Sequence, residues 1–160
     1  MTKMNNKIYT TEKEIDVAKF FVSRKNYKER INRCFNSTIR SVLNLFGKSN
    51  VKNLNPSQKT VLGTVFEDRI RKEFDLKKGK LDYAIKKTDV DVKFSVKSFW
   101  MISRGCINKT CILASIDFPN NKRFFGVIKA KRDKLWDKGN AGNKRGISKN
   151  YVKKNGLRII

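Results

Sequence analysis

Polar and apolar residues alternate along one stretch in the middle of the chain. Between Asp89 and Phe99, apolar residues occupy positions 90, 92, 94 and 96, while Asp, Lys and Ser lie between them. A period of two is typical of a β-strand with one face in the core. Because residues two apart share a face, Asp91 and Lys93 are expected to stand side by side, roughly 7 Å apart along the backbone. The pattern predicts a half-buried strand whose polar face carries an acid and a base.

A helix is predicted ahead of this strand, over residues 55–74. Asn55 is a candidate N-cap, and Pro56 suits the first helical position. Apolar residues then recur every four positions and form one stripe: Leu62, Phe66, Ile70 and Phe74. Glu67 lies about 20° around the helix from Phe74, at the border of that stripe. It is predicted either to face the edge of the sheet or to be a surface glutamate beside the core.

Two further helices are predicted nearer the N-terminus. The capping-box pattern Thr11–Glu14 precedes a periodic apolar segment, which predicts a helix over about residues 12–23. The segment 26–46 has one apolar face and ends at Gly47, a plausible helix stop. Its opposite face carries three cations, Lys28, Arg33 and Arg40. They are either a solvated face or a grip on a phosphate backbone.

Strands and turns dominate the prediction for the second half of the chain. A turn over Lys77–Lys80 is expected to lead into a strand over Leu81–Ile85, followed by a bend at Lys86–Thr88 and the alternating strand. Two more strands are predicted at Thr110–Asp117 and Arg123–Ala130, joined by a hairpin turn across Pro119–Lys122.

The stretch 139–147 is rich in glycine and asparagine and has no apolar periodicity, so it is predicted to be a surface loop. A short helical segment over Lys131–Lys138, packed down by Trp136, is expected to precede it. Four residues are candidate DNA contacts because their amide and cationic donors suit base edges and phosphates: Asn143, Lys144, Arg145 and, nearer the alternating strand, Arg104. The alternative for the loop is a disordered surface segment.

Composition narrows the class of protein. A chain of 160 residues suits one domain, and 38 Lys and Arg against 14 Asp and Glu give a net charge of +24 and a pI of about 10.3. This charge favours a polyanionic partner, with nucleic acid the first candidate, although an A·T-rich coding sequence would also enrich lysine and asparagine. Histidine is absent, which excludes His-dependent hydrolases and His-metal nucleases.

The cysteines and the hydropathy indicate the compartment. Three cysteines without C-x-x-C spacing predict reduced core thiols, neither a zinc site nor a disulfide framework. No run approaches the roughly 18 apolar residues of a membrane span. We therefore expect a cytoplasmic protein.

Acids are few, yet Asp82 lies nine positions before Asp91, close to the alternating strand. Mg²⁺ accepts oxygen ligands, here the two carboxylates and a backbone carbonyl, and keeps several waters. Lys93 could orient or deprotonate one of those waters. The alternative is an ordinary amphipathic strand with a solvated acid–base pair.

The spacing of four charged residues forms a pattern: Glu67 is followed after fourteen intervening residues by Asp82, and Asp82 after eight by Asp91-x-Lys93. This pattern resembles the PD-(D/E)xK nucleases, most closely the NaeI-like type II restriction endonucleases. Further segments follow in that family's order, including Phe125–Ala130 and the loop Gly139–Ser148. The resemblance covers roughly residues 61–160.

The resemblance implies an α/β fold with a restriction-endonuclease-like central mixed β-sheet flanked by helices. We expect a single endonuclease domain over residues 1–160, with a helical part at 10–47 and a catalytic core at 55–160. The implied activity is Mg²⁺-dependent, sequence-specific hydrolysis of double-stranded DNA, with Mn²⁺ able to substitute. Cutting both strands of a symmetric site implies a homodimer.

Each site residue has an implied role. Asp82, Asp91 and the carbonyl of Val92 would hold the metal, Glu67 would bind a metal-ligated water or a second ion, and Lys93 would position the attacking water. Three alternatives stay open: a nicking endonuclease of mismatch repair, a junction resolvase on the same fold, and a non-catalytic basic nucleic-acid-binding protein.

Overall fold

The computed structural model describes residues 11–160; residues 1–10, which the expected domain includes, lie outside the described residues. Within residues 11–160 the α-helices are α1 (Glu12–Val22), α2 (Tyr27–Phe46), α3 (Pro56–Phe74) and α4 (Lys149–Asn155). The strands are β1 (Lys77–Lys78), β2 (Tyr83–Ile85), β3 (Thr88–Ser95), β4 (Phe99–Ile102), β5 (Thr110–Asp117), β6 (Lys122–Lys129), β7 (Arg145–Ser148) and β8 (Leu157–Arg158). None of the helices in this part of the chain is long and apolar enough to cross a bilayer.

A mixed six-stranded sheet forms the middle layer, in the order β1-β2-β3-β5-β6-β8. The central pair β3 and β5 is parallel, and every other neighbouring pair is antiparallel. Strands β4 and β7 form a separate antiparallel sheet. The predicted α/β fold with a mixed central sheet is confirmed.

Helices α1, α2 and α3 cover one face of the main sheet. The predicted stripe of α3 is confirmed, since all four of its members are buried. Asn55 caps the helix as predicted, accepting from the Gln58 N–H while the Gln58 side chain accepts from the Asn55 N–H. Phenylalanine rings tie the layers together, with Phe66 of α3 lying 4.7 Å from Phe35 of α2 and 6.3 Å from Phe125 of β6.

The predictions for the first two helices, α1 and α2, are confirmed only in part. Helix α2 ends at Gly47, in the left-handed conformation that favours glycine, as predicted. The capping box at Thr11 is not formed, because the Thr11 hydroxyl donates to the Glu14 carboxylate and caps no backbone N–H. Arg33 does not simply line a solvated face; its guanidinium pairs with Glu73 of α3 at 2.9 Å.

The small sheet and α4 cover the opposite face. The Trp100 indole of β4 is buried and donates to the Ala114 carbonyl of β5 at 2.8 Å, which fastens the two sheets together. All three cysteines are buried and unpaired, as predicted. Residues of β5, β6 and α4 complete this second core.

The segment before β7 differs from its prediction. Of residues 131–138, only Arg132–Lys134 are helical, in a 3-10 turn. Trp136 is 45% exposed and lies over Gly146, where a Cβ would overlap the indole ring. The loop predicted to reach residue 147 ends earlier, because Arg145–Ser148 pair with β4.

The ends of the strands were harder to predict than their existence. Strand β5 has the predicted bounds, and β6 begins and ends one residue early. The alternating strand stops at Ser95 and not at Phe99, because the Ser95 hydroxyl accepts from the Lys97 N–H and donates to the Phe99 carbonyl, which turns the chain. The strand predicted at Leu81 begins at Tyr83, and part of the turn predicted before it, Lys77–Lys78, forms β1.

Candidate active site

Asp82 lies in the turn before β2, and both its backbone and its side chain are fastened to β3. Its N–H donates to the Val90 carbonyl at 3.1 Å, and its Oδ2 accepts from the Val92 N–H at 2.7 Å. The same turn is held at its start by Asp89, whose Oδ1 accepts from the Lys80 N–H at 2.9 Å. These bonds fix the Asp82 carboxylate beside the segment that carries Asp91.

Gly79 is necessary for this turn. A Cβ at Gly79 would lie 2.6 Å from the backbone of Tyr83 and 2.6 Å from the Asp89 carboxylate. We expect Gly79→Ala to lower the free energy of unfolding by about 1–3 kcal/mol through overpacking. Gly105→Ala is the matched control, since a Cβ there meets nothing within 4 Å. Urea unfolding of both variants checks this, and equal midpoints would contradict it.

Asp91 is almost completely buried, at 4% exposure. The polar face of β3 is therefore covered at Asp91, whereas Asp89, Lys93 and Ser95 on the same face stay partly exposed, as expected for a half-buried strand. Asp91 lies beside its register partner Cys111 on β5, and the 3-10 turn Arg104–Cys106 closes over the same face. Lys93 Nζ stands 3.1 Å from Asp91 Oδ2, although that oxygen has no partner with hydrogen-bond geometry.

Glu67 on α3 reaches the same place from the helical layer. The Tyr83 hydroxyl donates to the Glu67 carbonyl at 2.5 Å, which joins α3 to the strand next to Asp82. Burial raises the pKa of Glu67 to about 7, and the charges of Asp82 and Asp91 and a hydrogen bond with Asp82 add to the rise. The positive charge of Lys93 opposes it. The charges of Asp82 and Asp91 therefore act on Glu67 from the sheet.

Asp91 and Lys93 influence each other in opposite directions. Burial raises the pKa of Asp91, and the nearby Lys93 opposes this rise while Asp82 adds to it. Burial disfavours the charged ammonium of Lys93, but the Asp91 carboxylate outweighs it, so the Lys93 pKa is raised. Lys93 is therefore a cation at neutral pH, and the site concentrates negative charge within a basic protein.

The raised pKa of Glu67 predicts how stability depends on pH in EDTA. Because the folded-state pKa of about 7 exceeds the ordinary 4.5, stability contributed by protonated Glu67 is present below pH 4.5 and is lost as the pH rises through 7. At about pH 8 we expect Glu67→Gln to melt ~2–4 °C above the unsubstituted protein, corresponding to about 1 kcal/mol after solvent screening.

Asp68→Asn is the control for that measurement. Hydrogen bonds from Lys72 and Arg71 lower the pKa of the neighbouring Asp68 carboxyl, so its removal should leave the melting temperature unchanged or reduce it. Melting curves between about pH 5 and 8 distinguish the two variants. The assignment fails if Glu67→Gln retains the pH dependence of the unsubstituted protein.

The donor set suits a hard divalent cation. It consists of carboxylate oxygens, one of them the buried Asp91 Oδ2 without a hydrogen bond. Burial and, to a smaller extent, the neighbouring carboxylates raise the pKa values of Glu67 and Asp91, and a bound cation would favour their ionised forms. Within residues 11–160, no group of three or more Cys, Asp and Glu side chains has the arrangement of a ready-made metal cage. Mg²⁺ commonly takes only one or two carboxylates and completes its shell with water, so the residues fit such an ion.

The candidate DNA contacts belong to two surface segments, the 3-10 turn that begins at Arg104 and the loop before β7. Arg104, Asn143 and Lys144 are exposed. Asn140 orders the loop by accepting from the N–H groups of Gly142 and Lys144, so the segment is not a featureless coil. The Arg145 guanidinium donates to the carbonyls of Trp136 and Asp137 and therefore supports the loop.

Sequence reasoning missed two residues that shape the site. Tyr83 joins Glu67 to the sheet, and Cys106 contributes to the electrostatic environment of Lys93. A tyrosine next to Asp82 was a usable signal because it belongs to the same short strand. Cys106 had none, since only the folded chain brings it to β3.

A family model described as "Restriction endonuclease NaeI" matches residues 17–156. The matched range contains Glu67, Asp82, Asp91 and Lys93 together with every strand of the main sheet except the last, β8. A search of curated proteins gives no match.

Proposed function

The chain belongs to the NaeI restriction endonuclease family, and we propose that it hydrolyses double-stranded DNA at a specific sequence with Mg²⁺. The observation that carries this proposal is the arrangement around β3: Asp82 is bonded to the Val92 N–H, Lys93 stands 3.1 Å from Asp91, and the charges of Asp82 and Asp91 help to raise the pKa of Glu67. A protein that only bound phosphates would gain nothing from clustered carboxylates unless a cation lay between them.

Asp82, Asp91 and the Val92 carbonyl would hold the metal in this proposal, and Glu67 would bind a metal-ligated water or a second ion. The ion would activate water and neutralise charge on the scissile phosphate. Mn²⁺ should substitute, because it also prefers oxygen ligands. The Val92 N–H keeps Asp82 in place, so one side of the donor set is already oriented.

The raised pKa of Lys93 indicates its role. A group that is protonated at neutral pH and paired with Asp91 is a poor general base. We propose that Lys93 orients the attacking water and offsets negative charge on the phosphate through its ammonium group. Its half-buried stem lies among the residues that bury Asp91, which limits its freedom.

The net charge of +24 supports DNA as the partner. We propose that Arg104, Asn143 and Lys144 contact DNA, whereas Arg145 acts by holding the loop. A homodimer would present the same site to both halves of a palindromic sequence. Reduced cysteines agree with action in the cytoplasm.

Lys144→Ala tests the loop. If Lys144 contacts a phosphate, its loss should weaken binding to all sequences alike and reduce the slope of log affinity against log salt by about one. A base contact should instead relax specificity by about 1–3 kcal/mol at one position. Binding titrations at several salt concentrations decide, and unchanged affinity, slope and specificity would remove Lys144 from the interface.

Digestion of a sequenced plasmid tests the function as a whole. We expect discrete double-strand cuts with Mg²⁺, no cuts with EDTA, and ends bearing 5′-phosphate groups. Nicked circles as the final product would favour a nicking nuclease, and cleavage limited to four-way junctions would favour a resolvase. DNA binding without any metal-dependent cleavage would contradict the proposal.

A further inference from the structure

A cavity of about 680 Å³ opens beside the turn between β3 and β4 and is bordered by β5, β6, α4 and β8. Six of the eleven residues that line it are cationic, and one is acidic. The cations are Lys97, Lys122, Arg123, Lys149, Lys153 and Arg158. The acid, Asp117, already accepts a hydrogen bond from the Asn120 amide at 2.9 Å. With six cations against one carboxylate, the lining of the cavity carries a net positive charge.

The cavity lies on the same face of the main sheet as Asp91. Cys111, the register partner of Asp91, and Ser115, which lines the cavity, are four residues apart on β5 and so share a face. Four residues of strand span roughly 13 Å at about 3.3 Å per residue. In duplex DNA this distance corresponds to about four base pairs at ~3.4 Å each. The separation along β5 therefore matches a few base pairs of one duplex.

Lys149 is held in place by neighbouring groups. Its backbone N–H donates to the Ser98 carbonyl at 2.8 Å, and its Nζ lies 6.0 Å from the centre of the Trp100 ring. Burial and the charge of Lys153 lower its pKa, while Asp117 opposes that shift. An anion in the cavity would relieve this repulsion.

One other cation of the cavity is held by a ring, since Arg158 lies over the Phe124 ring at 5.8 Å. Arg123 contributes less, because its guanidinium donates to the side chains of Asn32 and Asn36 of α2, on the other face of the sheet. Ordered cations bind an anion with less loss of side-chain entropy than mobile surface lysines do.

We propose that this cavity is a second phosphate-binding site, which holds a backbone phosphate of the DNA a few base pairs from the bond cleaved at Asp82 and Asp91. This inference rests on the proposed function for the identity of the ligand. A phosphate group can also come from a free phosphate or a nucleotide, and the experiment separates these sources.

The test compares two double variants that lose the same charge. Lys122→Ala with Lys149→Ala removes two cations of the cavity, whereas Lys48→Ala with Lys52→Ala removes two exposed lysines distant from it in the chain. Binding to a duplex is measured with Ca²⁺ in place of Mg²⁺ at several salt concentrations. We expect the cavity variant to bind about tenfold more weakly and to lose about one from the salt slope, because one phosphate contact is lost, and the control variant to lose much less.

A thermal melt with inorganic phosphate accompanies the binding assay. Equal salt slopes for the two variants, both folded by circular dichroism, would overturn the inference. A second outcome combines equal salt slopes with a phosphate-induced rise in melting temperature that only the cavity variant lacks. It would mean that the cavity binds free phosphate and not the DNA backbone, which would overturn the inference. Cleavage by the unsubstituted protein is scored separately, so a failure of the proposed function is recognised independently of the cavity.

Discussion

Replacing Lys93 with methionine is expected to lower the rate of DNA cleavage by about 10²–10⁴-fold while DNA affinity stays within about tenfold. Methionine keeps much of the apolar stem but removes the ammonium that stands 3.1 Å from Asp91. Affinity should persist because it comes mainly from the widespread positive surface and not from one partly buried lysine. The rate falls because the water and the phosphate lose a positioned cation.

Lys109→Met is the matched control for this experiment. Lys109 is exposed on the turn before β5, so its removal changes the net charge equally without entering the carboxylate site. Single-turnover cleavage with Mg²⁺ and equilibrium binding with Ca²⁺ separate chemistry from affinity. Cleavage by Lys93→Met at the rate of the Lys109 variant would exclude Lys93 from the reaction.

Elements specified by local signals were predictable from the sequence. Helix α3 carries its own start in Asn55 and Pro56 and its own apolar stripe, and the Asn55–Gln58 capping box forms. Strand β5 is an apolar run bounded by turns, and the structure gives it the predicted limits, Thr110–Asp117. No distant partner was needed to recognise either one.

Elements that depend on distant partners were missed. Strand β7 forms because residues 145–148 pair with Phe99–Ile102, more than forty positions earlier in the chain. Gly146 belongs to that arrangement, since only a residue without a Cβ lets the Trp136 ring lie against the strand. A glycine in a stretch with no apolar period instead predicted a loop.

In the candidate site, too, local spacing was predictable and the surroundings were not. Spacing along the chain singled out Glu67, Asp82, Asp91 and Lys93 as candidates. The fold places Asp82, Asp91 and Lys93 around β3, and the charges of Asp82 and Asp91 act on Glu67. Their environment could not be predicted, because the burial of Asp91 depends on β5 and on the turn that contains Cys106. The raised pKa of Glu67 likewise arises from a meeting of helix and sheet that no local pattern contains.

The second large effect should appear in stability and not in catalysis. Burial raises the pKa of Asp91, which means that its ionised form is disfavoured in the fold. Stability contributed by the protonated form is lost as the pH rises through the folded-state pKa. In EDTA at neutral pH, Asp91→Asn should therefore melt at the temperature of the unsubstituted protein or above it. A cation reverses this preference, because it needs the ionised carboxylate.

With Mg²⁺ at about 100 times its dissociation constant, the unsubstituted protein should gain up to about 2.7 kcal/mol, and Asp91→Asn much less because a ligand is missing. Asp89→Asn is the control. Asp89 neighbours Asp91 in the chain, and asparagine keeps an oxygen that can accept from the Lys80 N–H as Asp89 does at 2.9 Å, so the turn and the Mg²⁺-induced gain should stay intact. Melting curves of the three proteins in EDTA and in Mg²⁺ give the three shifts. An Asp91→Asn shift as large as that of the unsubstituted protein would mean that Asp91 does not bind the ion, and the carboxylate site would lose the ligand on which its chemistry depends.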